Sequence, residues 1–199
     1  MKPICIFGIF VADLCFFSHT IPIRGQTVLG TKHLVGPGGK GSNQAIAAAR
    51  LGGNVNFITK LGVDNHADMA LSLYKGSGMD TNAITQDSKM TTGVAGIMID
   101  DKTGDNIINV VPGAAAHLGK EDIDKYLEII KNSSIFLTQL ETPSKVTSYA
   151  IKKAKELGNL TILNPAPAAD IKDDDFKLID FFTPNEKEAG FYLNKKIET

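Results

Sequence analysis

A glycine-rich stretch from Gly36 to Gln44 carries the densest set of chemically useful groups in this sequence of 199 residues. It runs into an alanine-rich segment that stops at Gly52-Gly53, as expected for a loop leading into a helix. The first backbone N–H groups of such a helix lack partners within it, so they can bind an anion or a hydroxyl-rich ligand. Lys40 adds a positive charge and Asn43 adds a side-chain amide. The loop therefore predicts a binding site for a polar small molecule.

Two known glycine motifs fit this loop less well. A phosphate-binding P-loop requires Ser or Thr directly after its lysine, and Lys40 is followed by Gly41. The dinucleotide fingerprint Gly-x-Gly-x-x-Gly is present from Gly36 to Gly41, but it requires an acidic residue after the next strand, about twenty residues further on. The sequence offers Thr59-Lys60 at that point. A dinucleotide-dependent oxidoreductase is therefore kept only as a distant alternative.

Several further stretches of the chain occur in an order that is typical of one enzyme family. They are Gly8 to Asp13, Gln139 to Glu141, Asn164 to Pro167, and Thr183 to Glu188. Together with Gly38 to Ala45, they make the sequence resemble the ribokinase (PfkB) family of carbohydrate kinases over nearly its whole length. The resemblance implies transfer of the γ-phosphate of ATP to a hydroxyl of ribose, deoxyribose or a related pentose. It also implies Mg²⁺ as a cofactor, with a monovalent cation such as K⁺ as a further candidate in the intact fold.

The resemblance assigns a set of residues to sugar binding, because a polyol in a dry pocket needs its hydroxyls paired. They are Val11, Asp13, Gly38, Gly39, Lys40, Gly41, Asn43 and Glu141. Asp13 and Glu141 each follow a predicted strand, and parallel strands end at one edge of a sheet, so we expect both in one cavity with the loop. Lys40 and the helix N-terminus are expected to hold these carboxylates ionised. The structural alternatives are a turn or capping aspartate, a solvated lysine, and a carboxylate at the start of a helix.

Val11 departs from the family pattern and bears on the choice of sugar. Ribokinases usually carry Asn two residues before the aspartate that corresponds to Asp13, and an apolar side chain cannot pair with a hydroxyl. A sugar that lacks this hydroxyl would be penalised less. Ribose is therefore not the favoured substrate on this residue alone, and a deoxy-sugar or another small furanose remains open.

Asn185 and Glu188 match the Asn-x-x-Glu element of the family, which organises the magnesium and phosphate end of the nucleotide site. Mg²⁺ prefers oxygen ligands and often meets carboxylates through its waters, so the resemblance implies an indirect metal contact for Glu188. The structural alternative is a helix N-terminus, where Asn is a good cap and Glu a good third residue. Both interpretations can hold together.

The resemblance also implies a segment that these 199 residues do not contain. In the family a Gly-Ala-Gly-Asp stretch supplies the aspartate that deprotonates the attacking hydroxyl, with neighbouring N–H groups that receive charge from the phosphoryl group. No such stretch occurs here, so no catalytic residue is assigned, and the family's catalytic aspartate is expected beyond Thr199. We therefore expect an incomplete C-terminal part and an inactive isolated chain. A catalytically inactive, truncated sugar-binding module is the alternative.

The order of apolar runs predicts an α/β fold, with a mostly parallel central sheet between two helical layers. Its strands are predicted over Ile4 to Val11, Val55 to Ile58, Ile135 to Thr138, Leu160 to Leu163 and Phe181 to Phe182. Its helices are predicted from the glycine loop to Gly52, from about Asp64 to Tyr74, from Pro143 to Leu157 and from about Asn185 onwards. Strands without intervening helices are predicted over Val28 to Val35, Val94 to Ile99 and Asn106 to Val111. Residues 1–13, 36–92 and 112–199 are assigned to this ribokinase-like sandwich. Residues 14–35 and 93–111 are assigned to a small β-lid, through which the resemblance implies a homodimer. The alternative for these strands is an antiparallel extension of the main sheet.

The composition of the chain argues against two classes of partner, nucleic acids and membranes. The net charge of −1 and the lack of a long basic run argue against nucleic acid. No apolar stretch reaches the length of a membrane span, so we expect no membrane partner and a cytoplasmic location. Cys5 and Cys15 are expected as buried free thiols, and they are too few for a four-cysteine zinc site.

Overall fold

The computed structural model describes residues 2–197, which form two sheets and a set of helices. The strands are β1 Ile4–Phe7, β2 Val11–Ser18, β3 Lys32–Gly38, β4 Val55–Leu61, β5 Ile84–Gln86, β6 Thr92–Asp100, β7 Asn106–Gly113, β8 Ile135–Gln139, β9 Leu160–Asn164 and β10 Phe181–Phe182. The helices are α1 Lys40–Arg50, α2 Asn65–Gly76, α3 Lys120–Lys125, α4 Leu127–Asn132, α5 Ser144–Glu156, α6 Asp173–Phe176 and α7 Glu186–Leu193. The predicted α/β domain also included Met1, Glu198 and Thr199, which lie outside the described residues.

The central sheet has six strands in the order β10-β9-β8-β1-β4-β5, and every pairing in it is parallel. Its interior strands are apolar on both faces, as expected when helices cover both sides. Ile6 belongs to the apolar cluster under α1 and α2, whereas Cys5 and Phe7 belong to the cluster under α3, α4 and α5. The predicted three-layer α/β sandwich is confirmed.

Tyr74 shows how a polar group is accommodated in one of these clusters. Its ring is fully buried and makes an edge contact with Phe57. Its hydroxyl donates to Ser42 Oγ at 2.9 Å, which ties α2 to the first turn of α1. Burial raises the pKa of Tyr74, so this hydroxyl keeps its proton and remains a donor.

The second sheet has four strands in the order β3-β2-β6-β7, and it pairs separately from the central sheet. The alternative of an antiparallel extension of the main sheet is therefore wrong. The second sheet and its connections span residues 11–38 and 92–113, slightly more than the predicted 14–35 and 93–111. In β2, Cys15 is only partly buried, contrary to expectation, while Cys5 is buried.

The first predicted strand, Ile4 to Val11, is divided in the structure. β1 ends at Phe7, and β2 starts at Val11 in the other sheet. Ile9 and Phe10 are buried but belong to neither strand. A short apolar run indicates burial without showing whether the backbone stays in one sheet, which is why the sequence pattern did not reveal the division. Asp13 consequently lies within β2 and not at the end of the first strand.

Several short elements were not predicted. They are β5, α3, α4 and α6, which have between three and six residues each. A helix of six residues or fewer makes less than two turns, and the three residues of β5 give too short an alternation, so neither displays enough of its hydrophobic period to be recognised. The strand predicted over Val28 to Val35 instead begins at Lys32 and ends at Gly38. Within residues 2–197, no helix combines the length and apolar character needed to cross a membrane.

Candidate functional site

The glycine loop enters α1 through a conformation that favours glycine. Gly39 is the N-cap residue, with φ 90° and ψ 127°. A side chain here would be strained, and its Cβ would also collide with the backbone oxygen of Ile9. The N-cap offers no side-chain hydrogen bond to the helix. The backbone N–H groups of the first turn of α1 are therefore available to acceptors outside the helix.

Gly8 and Gly41 allow α1 to approach the end of β1 closely. A Cβ built on Gly41 would lie 2.8 Å from the Cα of Gly8, so two backbones meet where side chains would not fit. Next in the helix, the Ser42 N–H donates to the carbonyl of Ile9 at 3.3 Å. These contacts fix the N-terminus of α1 at the carboxyl edge of the central sheet.

Glu141 binds this N-terminus through both of its oxygens. The Lys40 N–H donates to Oε2 at 2.8 Å, and the Lys40 ammonium donates to Oε1 at 3.2 Å. The Glu141 side chain is 11% exposed, whereas that of Lys40 is 43% exposed. The structural alternative for Glu141 was a carboxylate at the start of a helix. The structure shows this arrangement, but the helix is α1, whereas α5 is the helix that follows Glu141 in the chain.

Asp13 approaches the same point from the second sheet. It pairs with Gly36 in β3 and Ala95 in β6, and its carboxylate fills the space that a side chain on Gly38 would need. Burial, followed by the negative charge of Glu141, raises the pKa of Asp13, and Lys40 opposes this shift. Lys40 does favour the ionised form of Asp13, as expected, but its effect on the pKa is smaller than the two effects that oppose it. Desolvation and a like charge outweigh one cation that is itself partly solvated.

A cavity of about 540 Å³ lies beside this cluster and joins the two predicted ends of the site. It is lined by Lys40, Asn43, Gln44, Asn164, Ala166, Thr183, Pro184, Asn185 and Glu188. The structure thus brings Lys40 and Asn43 together with Asn185 and Glu188, which lie far from them in sequence. Carboxyl ends of parallel strands and helix N-termini meet at one edge, as open α/β sheets require.

Val11, Asp13 and Glu141 do not line this cavity, and Glu141 is connected to it through its hydrogen bond with Lys40. Val11 is 3% exposed and packs in the apolar cluster that contains Ile9 and Ala95. Gly38 and Gly41 are buried, and their part is to permit the close approaches described above. The sequence-predicted sugar residues therefore divide into a set of polar groups around Lys40 and a set that shapes the backbone.

Asn185 and Glu188 form a capping box at the start of α7. The Glu188 N–H donates to Asn185 Oδ1 at 2.8 Å, and the Asn185 N–H donates to Glu188 Oε2 at 2.9 Å. The Asn185 amide also donates to Glu188 Oε1 at 3.0 Å. The predicted helix-start geometry is present, and both residues also line the cavity.

Glu188 supplies a carboxylate at which a metal ion could be held beside this cavity. Within residues 2–197, no group of three His, Cys, Asp or Glu side chains converges as metal ligands would. Each Glu188 oxygen accepts one hydrogen bond from Asn185 and retains further acceptor capacity toward the cavity. A single carboxylate of this kind can bind a water of a hydrated Mg²⁺, which commonly keeps several waters.

A chain of side-chain amides under the cavity was missed by the sequence analysis. Gln139 donates to Gln44, Gln44 donates to Asn164 Oδ1 at 3.4 Å, and Asn164 donates to the carbonyl of Thr183 at 2.9 Å. These residues come from α1 and from the carboxyl ends or following residues of β8, β9 and β10. Gln139 and Asn164 end strands, Thr183 follows one, and Gln44 is the last residue of the glycine-rich stretch. Their positions at strand ends and after the glycines were the sequence signal from which this chain could have been predicted.

Comparison with known proteins assigns the family. The model of the pfkB family of carbohydrate kinases matches residues 1–199, so the chain belongs to this family. Its similarity to individual members is high enough to identify specific relatives. The bifunctional ribokinase/ribose-5-phosphate isomerase A of Fructilactobacillus sanfranciscensis is 40% identical over 191 residues. The match covers 96% of this chain and 35% of that protein.

Two further relatives have different sugars in their names. The ribokinase of Haemophilus influenzae is 37% identical, and the match covers 94% of this chain and 61% of that protein. The deoxyribokinase of Salmonella typhi is 32% identical, and the match covers 98% of this chain and 64% of that protein. The chain therefore spans between about one third and two thirds of the length of these relatives.

Solved structures agree with this fold. The ribokinase of Thermotoga maritima aligns with a TM-score of 0.87 at 32% identity, covering 100% of this chain and 65% of that chain. The Arabidopsis thaliana ribokinase complexed with ribose and ATP aligns with a TM-score of 0.86 at 27% identity, covering 99% of this chain and 64% of that chain. The fold of the chain is thus ribokinase-like.

Proposed function

We propose that this chain forms the sugar-binding part, and one end of the nucleotide site, of an ATP-dependent kinase for a small pentose. The observation that carries this proposal is the cavity that joins Lys40 and Asn43 to Asn185 and Glu188. A phosphoryl transfer needs an acceptor hydroxyl and a phosphate chain to meet in one place. The names of the ribokinase and deoxyribokinase relatives support a pentose as the acceptor.

The sugar end would use the cluster around the start of α1. Asp13 and Glu141 would accept hydrogen bonds from sugar hydroxyls, and Lys40 and Asn43 would donate them. Glu141 already pairs with Lys40, so the sugar would meet an oriented carboxylate and not a freely rotating one. Because Val11 supplies no polar group at the position where ribokinases usually carry Asn, we propose that 2-deoxyribose is accepted at least as well as ribose.

The phosphate end would use the start of α7. Asn185 and Glu188 would orient the phosphate chain of ATP, and Glu188 would do so through a water of Mg²⁺. The metal, when bound, would neutralise charge on the phosphate oxygens. A monovalent cation such as K⁺ remains part of the proposal for the intact fold, as does a cytoplasmic location.

The residues described here bind and orient, and none of them is placed as the general base. The Gly-Ala-Gly-Asp stretch that the family uses for this step is absent from the 199 residues. We therefore propose phosphoryl transfer for a protein in which such a segment completes the site, and inactivity for these 199 residues by themselves. A non-catalytic sugar-binding module is the second candidate.

Calorimetry on the 199-residue chain tests the sugar-binding part of the proposal. We expect ribose and 2-deoxyribose to bind, and we expect Asp13→Asn to weaken binding by about tenfold or more, since a buried acceptor loses its charge. Asp100→Asn is the matched control, because Asp100 lies in the same sheet and its carboxylate caps the turn at Lys102. Equal affinity in wild type and Asp13→Asn, or binding of neither sugar, would contradict the proposal.

A homodimer formed through the second sheet is also proposed. Large apolar side chains are exposed on β3 and β7, including Leu34 at 55%, Ile107 at 52% and Ile108 at 57%. Exposed apolar patches of this kind commonly mark interfaces. A second copy presents the same strands, so one surface can pair with itself around a two-fold axis.

A further inference from the structure

The amide chain under the cavity has a direction, and the direction is set at one end. The last group in the chain is the backbone carbonyl of Thr183, which can only accept a hydrogen bond. Asn164 must therefore turn its NH₂ toward Thr183 and its oxygen toward Gln44. Gln44 must in turn donate to Asn164 and accept from Gln139, as the structure shows.

This direction explains why a buried oxygen at the other end of the chain, Gln139 Oε1, has no hydrogen-bond partner among the described residues. Gln139 is 1% exposed, and its Oε1 has no hydrogen-bond partner among residues 2–197. Its NH₂ is committed to Gln44, so its oxygen is left facing the close contact between Gly8 and Gly41. A buried acceptor without a partner is unfavourable. The fold nevertheless keeps a glutamine here, where an apolar side chain would remove the unpaired atom.

The chain spans the two ends of the cavity. Gln139 lies two residues before Glu141, which holds the N-terminus of α1. Thr183 lies two residues before Asn185, which caps α7. Gln44 lies between them, one helical turn after Lys40. Among residues 2–197, Gln44 is the side chain of α1 that hydrogen-bonds to residues of both β8 and β9.

We propose that Gln139, Gln44 and Asn164 are positioning residues that hold the sugar end and the phosphate end of the cavity at a fixed separation. The assignment of the two ends rests on the function proposed above. The physical contacts do not, because they join α1 to the ends of β8, β9 and β10 whatever the cavity binds. Losing one link should loosen the Lys40–Glu141 contact even though neither residue is changed.

Two substitutions break the chain without removing a large side chain. Gln139→Met keeps a similar length and removes the donor to Gln44 together with the unpaired oxygen. Asn164→Asp keeps the shape, but a carboxylate cannot donate to Thr183, so the direction of the chain is lost. The matched control is Asn159→Leu. Asn159 is 3% exposed, donates to the carbonyls of Ile130 and Ser133, and also has an unpaired Oδ1 among the described residues.

Amide hydrogen exchange followed by NMR on the 199-residue chain tests the contacts directly. We expect exchange of the Lys40 N–H to accelerate about tenfold in Gln139→Met and in Asn164→Asp, relative to the exchange of core amides such as Phe57. Asn159→Leu should lower the thermal midpoint without this selective change. Equal protection of the Lys40 N–H in all the variants would overturn the inference.

Calorimetry with 2-deoxyribose then separates the inference from the proposed function. If wild type binds the sugar, Gln139→Met should weaken binding by about fivefold or more while Asn159→Leu should not. Unchanged affinity in a folded Gln139→Met protein would overturn the positioning role. If wild type binds neither pentose, the proposed function fails, and the exchange of the Lys40 N–H alone decides whether the amide chain positions α1.

Discussion

At the scale of single residues, the site depends as much on side chains that are missing as on those that are present. Gly39 and Gly41 leave room for the backbone of Ile9 and Gly8, and this room lets the first turn of α1 reach Glu141. The charged groups then compete. Burial and Glu141 raise the pKa of Asp13 while Lys40 acts in the opposite sense. The balance follows from distance and solvation, which the sequence does not give.

The conformation of Gly39 leads to a stability prediction. Gly39→Ala should lower the free energy of unfolding by at least about 1–3 kcal/mol, because φ 90° is strained for alanine and its Cβ would meet the Ile9 carbonyl. Urea unfolding at neutral pH measures the effect. Gly36→Ala is the control, since a Cβ on Gly36 would have no heavy atom within 4 Å. A Gly39→Ala protein as stable as the control would show that the loop can relax at no cost.

At the scale of elements, β9 and β10 are joined by a short network centred on Asp180. The Thr161 N–H donates to Asp180 Oδ2 at 2.9 Å, and Lys155 on α5 donates to the other oxygen. β10 has only two residues, and the Asp180 carboxylate adds to its backbone pairing with β9. The Lys155 ammonium and the Thr161 N–H together lower the pKa of Asp180 to about 2.

A pH dependence follows from this network. The folded-state pKa lies below the unfolded value near 4, so Asp180 contributes stability above about pH 4 and loses it as pH falls toward about 2. Because the side chain is 34% exposed, we expect Asp180→Asn to cost only about 1 kcal/mol at neutral pH. The loss should shrink as the pH is lowered to about 2.

Urea titrations of wild type and Asp180→Asn between neutral pH and pH 2.5 make this measurement. Asp174→Asn is the control, because its ion pair with Lys177 is largely exposed on both sides. A difference between wild type and Asp180→Asn that stays constant with pH would show that the carboxylate acts through shape and not through its charge.

The elements also show what the sequence could and could not predict. β4, β8, β9, α1, α2 and α5 were predicted because each is long enough to display its apolar pattern, with glycines or prolines at its ends. The division between β1 and β2 was not, because burial continues through Ile9 and Phe10 while the chain changes sheets. The polar residues at the two ends of the cavity were predicted because they belong to sequence motifs. The amide chain joining Gln44 to Gln139 depends on contacts between distant segments, which no local pattern encodes.

At the scale of the whole molecule, the second sheet presents large apolar side chains to solvent on both of its faces. Leu34 and Ile108 lie on the face that carries Asp13, by the alternation of their strands, while Ile107 lies on the opposite face. A sheet of four strands with this much exposed apolar surface is typical of an interface. A dimer would bury part of it without involving the central sheet.

Sedimentation equilibrium tests this dimer. We expect wild type to self-associate at micromolar concentration and Ile108→Asp to shift the equilibrium to monomer, because a charge would be buried in an apolar contact. Leu29→Asp is the control, since Leu29 is 91% exposed in the connection before β3. A monomeric wild type at high concentration, or association that Ile108→Asp leaves unchanged, would contradict the proposed interface.

Asp13 and Glu141 are carried by different sheets, so the separation of the two sheets is coupled to the protonation of Asp13. Asp13 is carried by the second sheet, whereas Glu141 follows β8 of the central sheet. If the sheets moved apart, Asp13 would gain water and lose its negative neighbour, and its raised pKa would fall toward the ordinary value. Such an opening would release a proton, and closure would take one up. Over the pH range in which Asp13 titrates, a lower pH would therefore favour the closed arrangement and a higher pH the open one.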